Sequence, residues 1–330
     1  CKTKPGQRKA GHRSGATVYG LCPGKKGNQV RHLLNLLDLS QEDFFRILHR
    51  GIEHAKNRKL APTALADKTV TLLFEKTSTR TRLSFSVAVM EMGGHLIALE
   101  SQMLQVGRGE SVEDTTEVLA RYVDCVMVRT HSHRKLEVMS GLDRLPIING
   151  LSDRHHPCQG LADYMTLLEA GLDLKNTTLA FVGEPNNVFN SLALGALHSG
   201  SRIHLAAPEG YPIRPGIRDH LQKKNVHLEV FQDPSAAVKD VDVIYTDTWV
   251  SMGQEEEAEE RKAVFKPYRL DDELMTKARN DVMVMHCLPA HRGEEITDSV
   301  MDRHGPTIFK QAENRLHIQK AILEWIFELI

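Results

Sequence analysis

The sequence has few aromatic residues, few cysteines, almost no net charge and no long apolar run. Aromatic residues make up 5% of the 330 residues and the formal net charge is -1, which argues against base-stacking platforms and against attraction to nucleic acid or an anionic membrane. No uninterrupted apolar run approaches the roughly 20 residues that a membrane helix requires. The cysteines are scattered without a CxxC pair, so we expect no disulfide framework, no zinc site and a reduced intracellular compartment.

From Leu33 onward the sequence alternates regularly between strand and helix patterns. This alternation predicts an α/β fold of parallel sheets flanked by helices, and the length suits two domains joined by interdomain helices. We predict a basic flexible tail over 1–33, a first domain over 34–165, a second domain over 166–310, and a C-terminal helix over 311–330 that packs back on the first domain.

The first 33 residues are rich in Gly and Pro and contain basic residues but no acidic ones. The basic positions are Lys2, Lys4, Arg8, Lys9, Arg13, Lys25, Lys26 and Arg31. We interpret this segment as a solvated tail. A remnant of an organellar transit peptide and an anion-binding role are the alternatives that its composition leaves open.

The most informative segment lies between an apolar strand pattern ending at Phe74 and a helix pattern beginning near Leu83. It carries the hydroxyls of Ser78, Thr79 and Thr81 and the guanidinium group of Arg80. The start of a helix has unpaired N–H groups and a positive dipole end, and Arg adds bidentate donors, so this turn is suited to phosphate. A simple Ser/Thr helix cap with solvated arginines is the alternative.

Four further segments place polar side chains just after predicted strands or at a helix start. They are Arg129, residues 155–159 (His-His-Pro-Cys-Gln), residues 247–253 (Asp-Thr-Trp-Val-Ser-Met-Gly) and residues 286–289 (His-Cys-Leu-Pro). Since ligands bind at the carboxyl ends of parallel strands, we expect these segments to converge. A single Arg after a strand is ordinarily a surface residue, and a His before a helix is often a capping residue. These are the alternatives for Arg129 and His156 when each is considered alone.

Together these segments resemble the aspartate/ornithine carbamoyltransferase family, and its ornithine branch in particular. The likeness spans about residue 33 to the C-terminus and rests on four motifs in order, at 78–82, 156–159, 247–253 and 286–289. It implies an enzyme that transfers the carbamoyl group from carbamoyl phosphate to the side-chain amine of L-ornithine, giving L-citrulline and phosphate in arginine biosynthesis or degradation. It implies no cofactor and no metal.

The resemblance also implies site residues, position by position. Those for carbamoyl phosphate are Ser78, Thr79, Arg80, Thr81, Gln105, Arg129, His156, Gln159, Cys287, Leu288 and Arg315, with the Leu288 carbonyl accepting from the carbamoyl amide. In the family the residue matching Gln105 reaches a neighbouring subunit's site, which implies a homotrimer or a multiple of trimers. The implied catalytic residues are Arg129, His156, Cys287 and Asp247.

The second domain is then expected to bind ornithine. The implied residues are Asn187, Asp247, Ser251 and Met252, with Asp247 and Ser251 suited to the α-ammonium group and the other two to the carboxylate. The family usually has Asp and a small residue after Gly183, and Glu184-Pro185 departs from that pattern.

Residue chemistry agrees with these roles. Arg80, Arg315 and helix N–H groups would neutralise the phosphate, while Arg129, His156 and Thr81 would polarise the carbonyl. A Cys next to a His also suggests covalent catalysis, although a deprotonated amine needs no acyl-enzyme.

Other functions remain as alternatives. Putrescine or aspartate could replace ornithine, but the acidic stretch 254–257 favours a cationic amino acid. A non-catalytic binding protein on the same scaffold is more distant. The turn after the 178–182 strand lacks a Gly-x-Gly-x-x-Gly fingerprint, which argues against an oxidoreductase. We expect a cytoplasmic location, or the mitochondrial matrix for a eukaryotic source.

Overall fold

The computed structural model describes residues 30–75, 78–100, 109–250 and 255–330. The strands in these ranges form two parallel sheets flanked by helices, which confirms the predicted α/β class. The first sheet contains β1 (Thr69–Phe74), β2 (His95–Glu100), β3 (Cys125–Arg129) and β4 (Ile147–Leu151), in the order β2-β1-β3-β4. The second contains β5 (Thr178–Val182), β6 (Arg202–Ala206), β7 (Leu228–Phe231), β8 (Val243–Thr246) and β9 (Met283–His286), in the order β7-β6-β5-β8-β9.

Helices cover the faces of both sheets. They are α1 (Gln41–Lys56), α2 (Thr79–Glu91), α3 (Val112–Leu119), α4 (His133–Gly141), α5 (Pro157–Glu169), α6 (Asn187–Ser199), α7 (Pro215–Lys223), α8 (Pro234–Ala237), α9 (Ala258–Phe265), α10 (Asp272–Met275) and α11 (Asp298–Ile326). The strands β1 and β5 are almost fully buried, as expected for inner strands of a parallel sheet with both faces covered.

Each sheet reverses its strand order at one point. In the first sheet β1 lies between β2 and β3, and in the second β5 lies between β6 and β8. At such a switch point the loops leaving neighbouring strands diverge and open a crevice at the carboxyl ends. The fold therefore offers two crevices, one after β1 and β3 and one after β5 and β8.

The helices α5 and α11 join the two sheets. A single buried apolar cluster runs from Leu72 in β1 through Leu161 in α5 and Ile318 in α11 to Phe181 in β5. α11 packs against α1, α2 and α5 on the side of the first sheet and against β9 of the second. This shared packing fixes the position of one crevice relative to the other.

The structure differs from the sequence expectations at several boundaries. α11 begins at Asp298 rather than at 311 and contains Pro306, a residue that ordinarily breaks a helical pattern. α4 and α7 were not predicted, and for both no side-chain cap bond is found in the described part of the chain. Leu33, the last residue of the predicted tail, is buried and hydrogen bonds beside β4. Within the described ranges, no helix is long and apolar enough to span a membrane.

Candidate active site

A cleft of about 940 Å³ lies between the two sheets and contains both switch-point crevices. Its walls include residues from the ends of β1, β3, β5, β8 and β9, together with α5 and α11. The predicted site residues that line it are Ser78, Thr79, Arg80, Arg129, His156, Gln159, Asn187, Asp247, Cys287, Leu288 and Arg315. The five segments singled out in the sequence thus meet in one place, because each follows a strand or opens a helix at the same edge of its sheet.

The start of α2 supplies hydrogen-bond donors to one end of the cleft. Ser78 caps this helix and its hydroxyl accepts from the Thr81 N–H at 3.3 Å. Thr79 and Arg80 occupy the first turn and face the cleft. This is the arrangement of unpaired N–H groups and an Arg side chain that suits a phosphate.

Three guanidinium groups surround this end of the cleft. Arg80 comes from α2, Arg129 from the end of β3 and Arg315 from α11. Arg129 is 8% exposed and Arg315 is 3% exposed. Among the described residues, none of the three has an ion-pair partner, and the Nε atoms of Arg129 and Arg315 have no hydrogen-bond partner. Buried cations without counter-charges are costly, so the site is built for an anion.

The pKa shifts in this cluster have the same physical origin. Burial, followed by the charges of Arg315 and Arg80, lowers the pKa of Arg129 to about 10. Burial is also the main reason that the pKa of Arg315 is lowered, with Arg80 adding repulsion. Both groups remain charged at neutral pH, but each would gain from a bound anion.

His156 is a neutral imidazole inside the cationic cluster. Burial, and then repulsion from Arg315, Arg129 and Arg80, holds its pKa well below the ordinary value. Its backbone N–H donates to Ser191 Oγ at 2.7 Å, which fixes the start of α5. Its Nδ1 atom has no partner within the described residues. A neutral imidazole here can donate a hydrogen bond to a carbonyl oxygen without competing for a proton.

Arg315 links the phosphate turn to the start of α5. Its Nη2 group donates to Thr81 Oγ1 at 2.8 Å and its Nη1 group donates to Gln159 Oε1 at 3.2 Å. Thr81 is fully buried, so its hydroxyl is held by Arg315 rather than by solvent. The three side chains therefore form one connected unit.

The other end of the cleft is organised around Asp247, which follows β8. Its Oδ2 atom accepts from Asn186 Nδ2 at 2.7 Å and its Oδ1 atom accepts from the Cys287 thiol at 3.0 Å. Burial, followed by the nearby Asp247 carboxylate, raises the pKa of Cys287 well above its ordinary value. The thiol is therefore protonated, and a thiolate nucleophile is disfavoured. The covalent alternative suggested by the sequence has no support in this geometry.

The loop after β5 contributes two asparagines. Asn186 caps α6, with its Oδ1 atom accepting from the N–H groups of Val188 and Phe189. Asn187 begins the helix, lines the cleft and donates from Nδ2 to the Ser152 carbonyl at 2.7 Å. The sequence singled out Asn187 and missed Asn186. An Asn immediately before a helix is a cap signal that could have identified it.

Glu184, where the sequence departs from the family pattern, forms an ion pair with Arg261 of α9. Arg261 is buried, donates from Nε to the Trp249 carbonyl at 2.8 Å and lies over the Tyr211 and Phe265 rings. The altered loop is therefore tied to both ends of the segment that contains residues 251–254. Ser251 and Met252 lie outside the described residues, as does Gln105.

The end of β9 is held by a buried histidine. Its Nδ1 atom accepts from the Leu288 N–H at 2.9 Å, and its Nε2 atom contacts Glu295 Oε1 at 3.1 Å. Because both ring nitrogens of this residue, His286, have hydrogen-bond partners, its role is structural support for Cys287 and Leu288. Asp247, His286 and Cys287 have the ligand types of a metal site and lie close together. However, Cys287 already donates to Asp247, and both ring nitrogens of His286 are hydrogen bonded to Leu288 and Glu295.

Comparison with known proteins gives a consistent result across the chain. The family model for the aspartate/ornithine carbamoyltransferase carbamoyl-P binding domain matches residues 31–169, and the model for the Asp/Orn binding domain matches residues 175–326. An ornithine carbamoyltransferase from Archaeoglobus fulgidus is 46% identical over 296 residues, which cover 89% of this chain and 96% of that protein.

Solved structures agree with the sequence relatives. The ornithine carbamoyltransferase from Pyrococcus furiosus aligns with a TM-score of 0.85 and 44% identity, covering 91% of this chain and 98% of that one. The anabolic ornithine carbamoyltransferase from Campylobacter jejuni aligns with a TM-score of 0.86 and 37% identity, covering 91% and 100%. The similarity therefore includes both sheets and the cleft between them.

Proposed function

The chain belongs to the aspartate/ornithine carbamoyltransferase family, and from this premise we propose that it transfers the carbamoyl group of carbamoyl phosphate to the side-chain amine of L-ornithine. The products are L-citrulline and phosphate. The catalysed step serves arginine biosynthesis, in keeping with the anabolic name of the Campylobacter jejuni relative. In arginine degradation, the same reaction proceeds in the opposite direction, from citrulline and phosphate.

The observation that carries this proposal is the cluster of three guanidinium groups around a neutral His156. Carbamoyl phosphate is a dianion whose phosphate must leave with the electron pair of its bond to the carbonyl carbon. Arg80, Arg315 and the N–H groups of α2 stabilise that charge. Each guanidinium group offers paired donors that match phosphate oxygens.

The carbonyl carbon is activated by the remaining polar groups of this end. Arg129 and His156 line the cleft and are the proposed donors to the carbonyl oxygen as it becomes an oxyanion. Thr81 is buried behind them, where its hydroxyl accepts from Arg315. The neutral δ-amine nitrogen of ornithine attacks the carbon, the carbon–oxygen bond to phosphate breaks, and the nitrogen releases a proton. A single oxyanion donor typically contributes about 3–4 kcal/mol to such a step.

The acceptor is bound at the opposite end. The Asp247 carboxylate suits an α-ammonium group, while Asn187 and the segment with Ser251 and Met252 suit the α-carboxylate. Glu184 adds a second acidic side chain to the lining of this end. Aspartate carries only its α-amine, so its attack on the carbamoyl carbon would leave no α-ammonium group for Asp247, and putrescine would lack the carboxylate proposed to contact Asn187.

We propose that the active form is a homotrimer or a multiple of trimers. Leu83 and Met90 on one face of α2 and Ile97 on the edge strand β2 are large apolar residues that are 59%, 59% and 45% exposed. A patch of this kind on the outside of the first sheet supports an interface between copies. Gln105, which lies between β2 and α3, would reach the neighbouring site.

We propose that the protein acts in the cytoplasm, or in the mitochondrial matrix of a eukaryotic cell. The support is its cysteine chemistry: Cys125, Cys158 and Cys287 are buried free thiols. Such thiols persist in reducing compartments.

Citrulline formation tests the function directly. The purified chain is incubated with carbamoyl phosphate and either L-ornithine, L-aspartate or putrescine, and the carbamoylated product and phosphate are measured together. We expect equal amounts of citrulline and phosphate with ornithine, and rates at least about a hundredfold lower with the other two amines. Faster product formation with putrescine or aspartate, or none with any amine, would overturn the proposal.

A further inference from the structure

Asp163 is a fully buried carboxylate on α5 that no step of the reaction uses. Its Oδ1 atom accepts from two carboxamide groups, Gln159 Nε2 at 2.8 Å and Gln311 Nε2 at 2.7 Å. Its Oδ2 atom has no hydrogen-bond partner within the described ranges. Gln159, Asp163 and Gln311 are each at most 1% exposed, so no solvent competes for these contacts.

An ionised carboxylate can only accept hydrogen bonds, so each glutamine must turn its nitrogen toward Asp163 and its oxygen away. The two oxygens then point to opposite sides. Gln159 Oε1 faces the cleft and accepts from Arg315 at 3.2 Å. Gln311 Oε1 accepts from the backbone N–H of His286 at 3.0 Å, at the end of β9. One carboxylate therefore sets the orientation of a carboxamide on each side.

The carbamoyl NH₂ group differs from the carbonyl and phosphate groups because it is a hydrogen-bond donor. It requires acceptors, and Gln159 and Leu288, which both line the cleft, can offer a side-chain and a backbone carbonyl oxygen. Gln159 in the reverse orientation would present an NH₂ group to an NH₂ group. The Leu288 carbonyl depends on the end of β9, which Gln311 holds through His286.

We infer that Asp163 is a positioning residue that orients Gln159 and Gln311 so that the carbamoyl amide meets acceptors only. The inference rests on the proposed function and deepens it, since it assigns recognition of the donor's amide to a residue that never touches the substrate. The hydrogen-bonded residues belong to α5, α11 and β9, so these contacts form only when the three elements pack together.

Other polar groups around Asp163 are consistent with this role. The Tyr245 hydroxyl accepts from Gln311 Nε2 at 3.1 Å, which fixes the second carboxamide further. Burial raises the pKa of Asp163 to about 7, while the hydrogen bonds from Gln159 and Gln311 lower it. A proton bound at neutral pH would reside on the unpartnered Oδ2 atom and leave the Oδ1 contacts intact.

The test compares carbamoyl phosphate with acetyl phosphate, which carries a methyl group in place of the amide. In the wild type and in Asp163→Leu, we would measure KM for carbamoyl phosphate and inhibition constants for acetyl phosphate and inorganic phosphate. We expect the preference for carbamoyl over acetyl phosphate to fall about tenfold in the variant, with phosphate inhibition nearly unchanged. Equal weakening of all three ligands, or an unchanged preference, would overturn the inference.

A double-mutant cycle tests whether Asp163 acts through Gln159. Gln159→Leu should lose the same preference, and the double variant with Asp163→Leu should lose clearly less than the sum of the two single losses. Additive losses would contradict the inference.

Thr166→Val is the matched control. Thr166 lies on α5, is 2% exposed and accepts from Asn314 of α11 at 2.9 Å. The substitution removes a buried polar contact between α5 and α11 and leaves the contacts of Gln159 unchanged. Its preference for carbamoyl phosphate should equal that of the wild type, and a loss like that of Asp163→Leu would overturn the inference.

Asp163→Asn covers the case in which the leucine variant does not fold. Its remaining oxygen can still accept at the Oδ1 position, so we expect a smaller loss of preference, about threefold. A greater loss than in Gln159→Leu would contradict the inference.

Citrulline formation by the wild type is measured in parallel. If no citrulline forms, the proposed function fails. If citrulline forms normally but the variants keep the wild-type preference, only the role of Asp163 fails.

Discussion

The two ends of the cleft have opposite electrostatic designs. At the carbamoyl phosphate end, Arg80, Arg129 and Arg315 repel one another, and no carboxylate of the described residues pairs with them. At the ornithine end, both carboxylates already have protein partners, because Asp247 accepts hydrogen bonds from the neutral Asn186 and Cys287 side chains while Glu184 forms an ion pair with Arg261. The cations of the carbamoyl phosphate end gain a counter-charge only from a bound ligand, whereas the carboxylates of the ornithine end have partners in the ligand-free protein. Removing a charge should therefore change stability in opposite directions at the two ends.

The largest expected effect is that of Arg129→Met. Loss of an oxyanion donor should lower kcat/KM by about a thousandfold. The pKa of Arg129 is lowered to about 10, so folding disfavours the charged form at every pH below that value. The substitution should consequently raise the free energy of unfolding of the ligand-free protein by about 1–3 kcal/mol. Kinetics and denaturant unfolding measure the two effects.

Arg134→Met is the control for this prediction. Arg134 is an exposed residue of α4 that forms an ion pair with Glu137. Its substitution should leave kcat/KM unchanged and stability within about 0.5 kcal/mol. If Arg129→Met lowered the free energy of unfolding instead of raising it, the inferred repulsion among the three arginines of the carbamoyl phosphate end would be wrong.

Asp247→Asn should have the second largest effect. Asparagine keeps the shape but loses the charge for the α-ammonium group, so kcat/KM for ornithine should fall about a hundredfold. Inhibition by inorganic phosphate should change little, because the anion site lies at the other end. Asp219→Asn, an exposed change on α7, serves as control. Equal losses in ornithine and phosphate binding would remove the distinction between the two ends.

Glu184→Gln should affect stability more than turnover. It removes the closer of two carboxylates beside Arg261, which is 4% exposed, and leaves only the exposed Glu257 at 3.8 Å. A buried charge that loses its closest partner is costly, and the free energy of unfolding should fall by about 2 kcal/mol, opposite in sign to Arg129→Met. Urea unfolding compares it with Glu209→Gln, a change at an exposed position. A stability equal to that of the wild type would show that the ion pair contributes nothing.

Cys287→Ser should have the smallest effect. Serine can donate the same hydrogen bond to Asp247, and a protonated thiol is not a nucleophile, so kcat should fall less than about tenfold. Cys125→Ser, at a buried thiol outside the cleft, should lower stability without changing KM for ornithine. Complete inactivation of Cys287→Ser, together with a trapped carbamoyl-enzyme, would restore the covalent alternative.

The sequence predicted the fold class and the convergence of five segments, because strand-end turns in parallel sheets leave clear local patterns. It did not predict α4, which has no side-chain cap bond within the described residues, or the early start of α11 before Pro306. It also missed Asn186 and Asp163. Asn186 carries a local helix-cap signal that could have identified it, whereas Asp163 has no motif of its own and acquires a role only from the two glutamines that it contacts.

The amino-acid sequence alone specifies which side chains are available: a phosphate-type turn, a set of arginines, the Asn and Asp side chains suited to an amino acid, and the order in which they follow strands. The tertiary structure decided their charge states and partners. Gln311 and Asp163 are 148 positions apart in the chain, and the protonation of Cys287 depends on burial beside Asp247. Such properties depend on packing between distant segments and on the exclusion of water, and local sequence patterns encode neither.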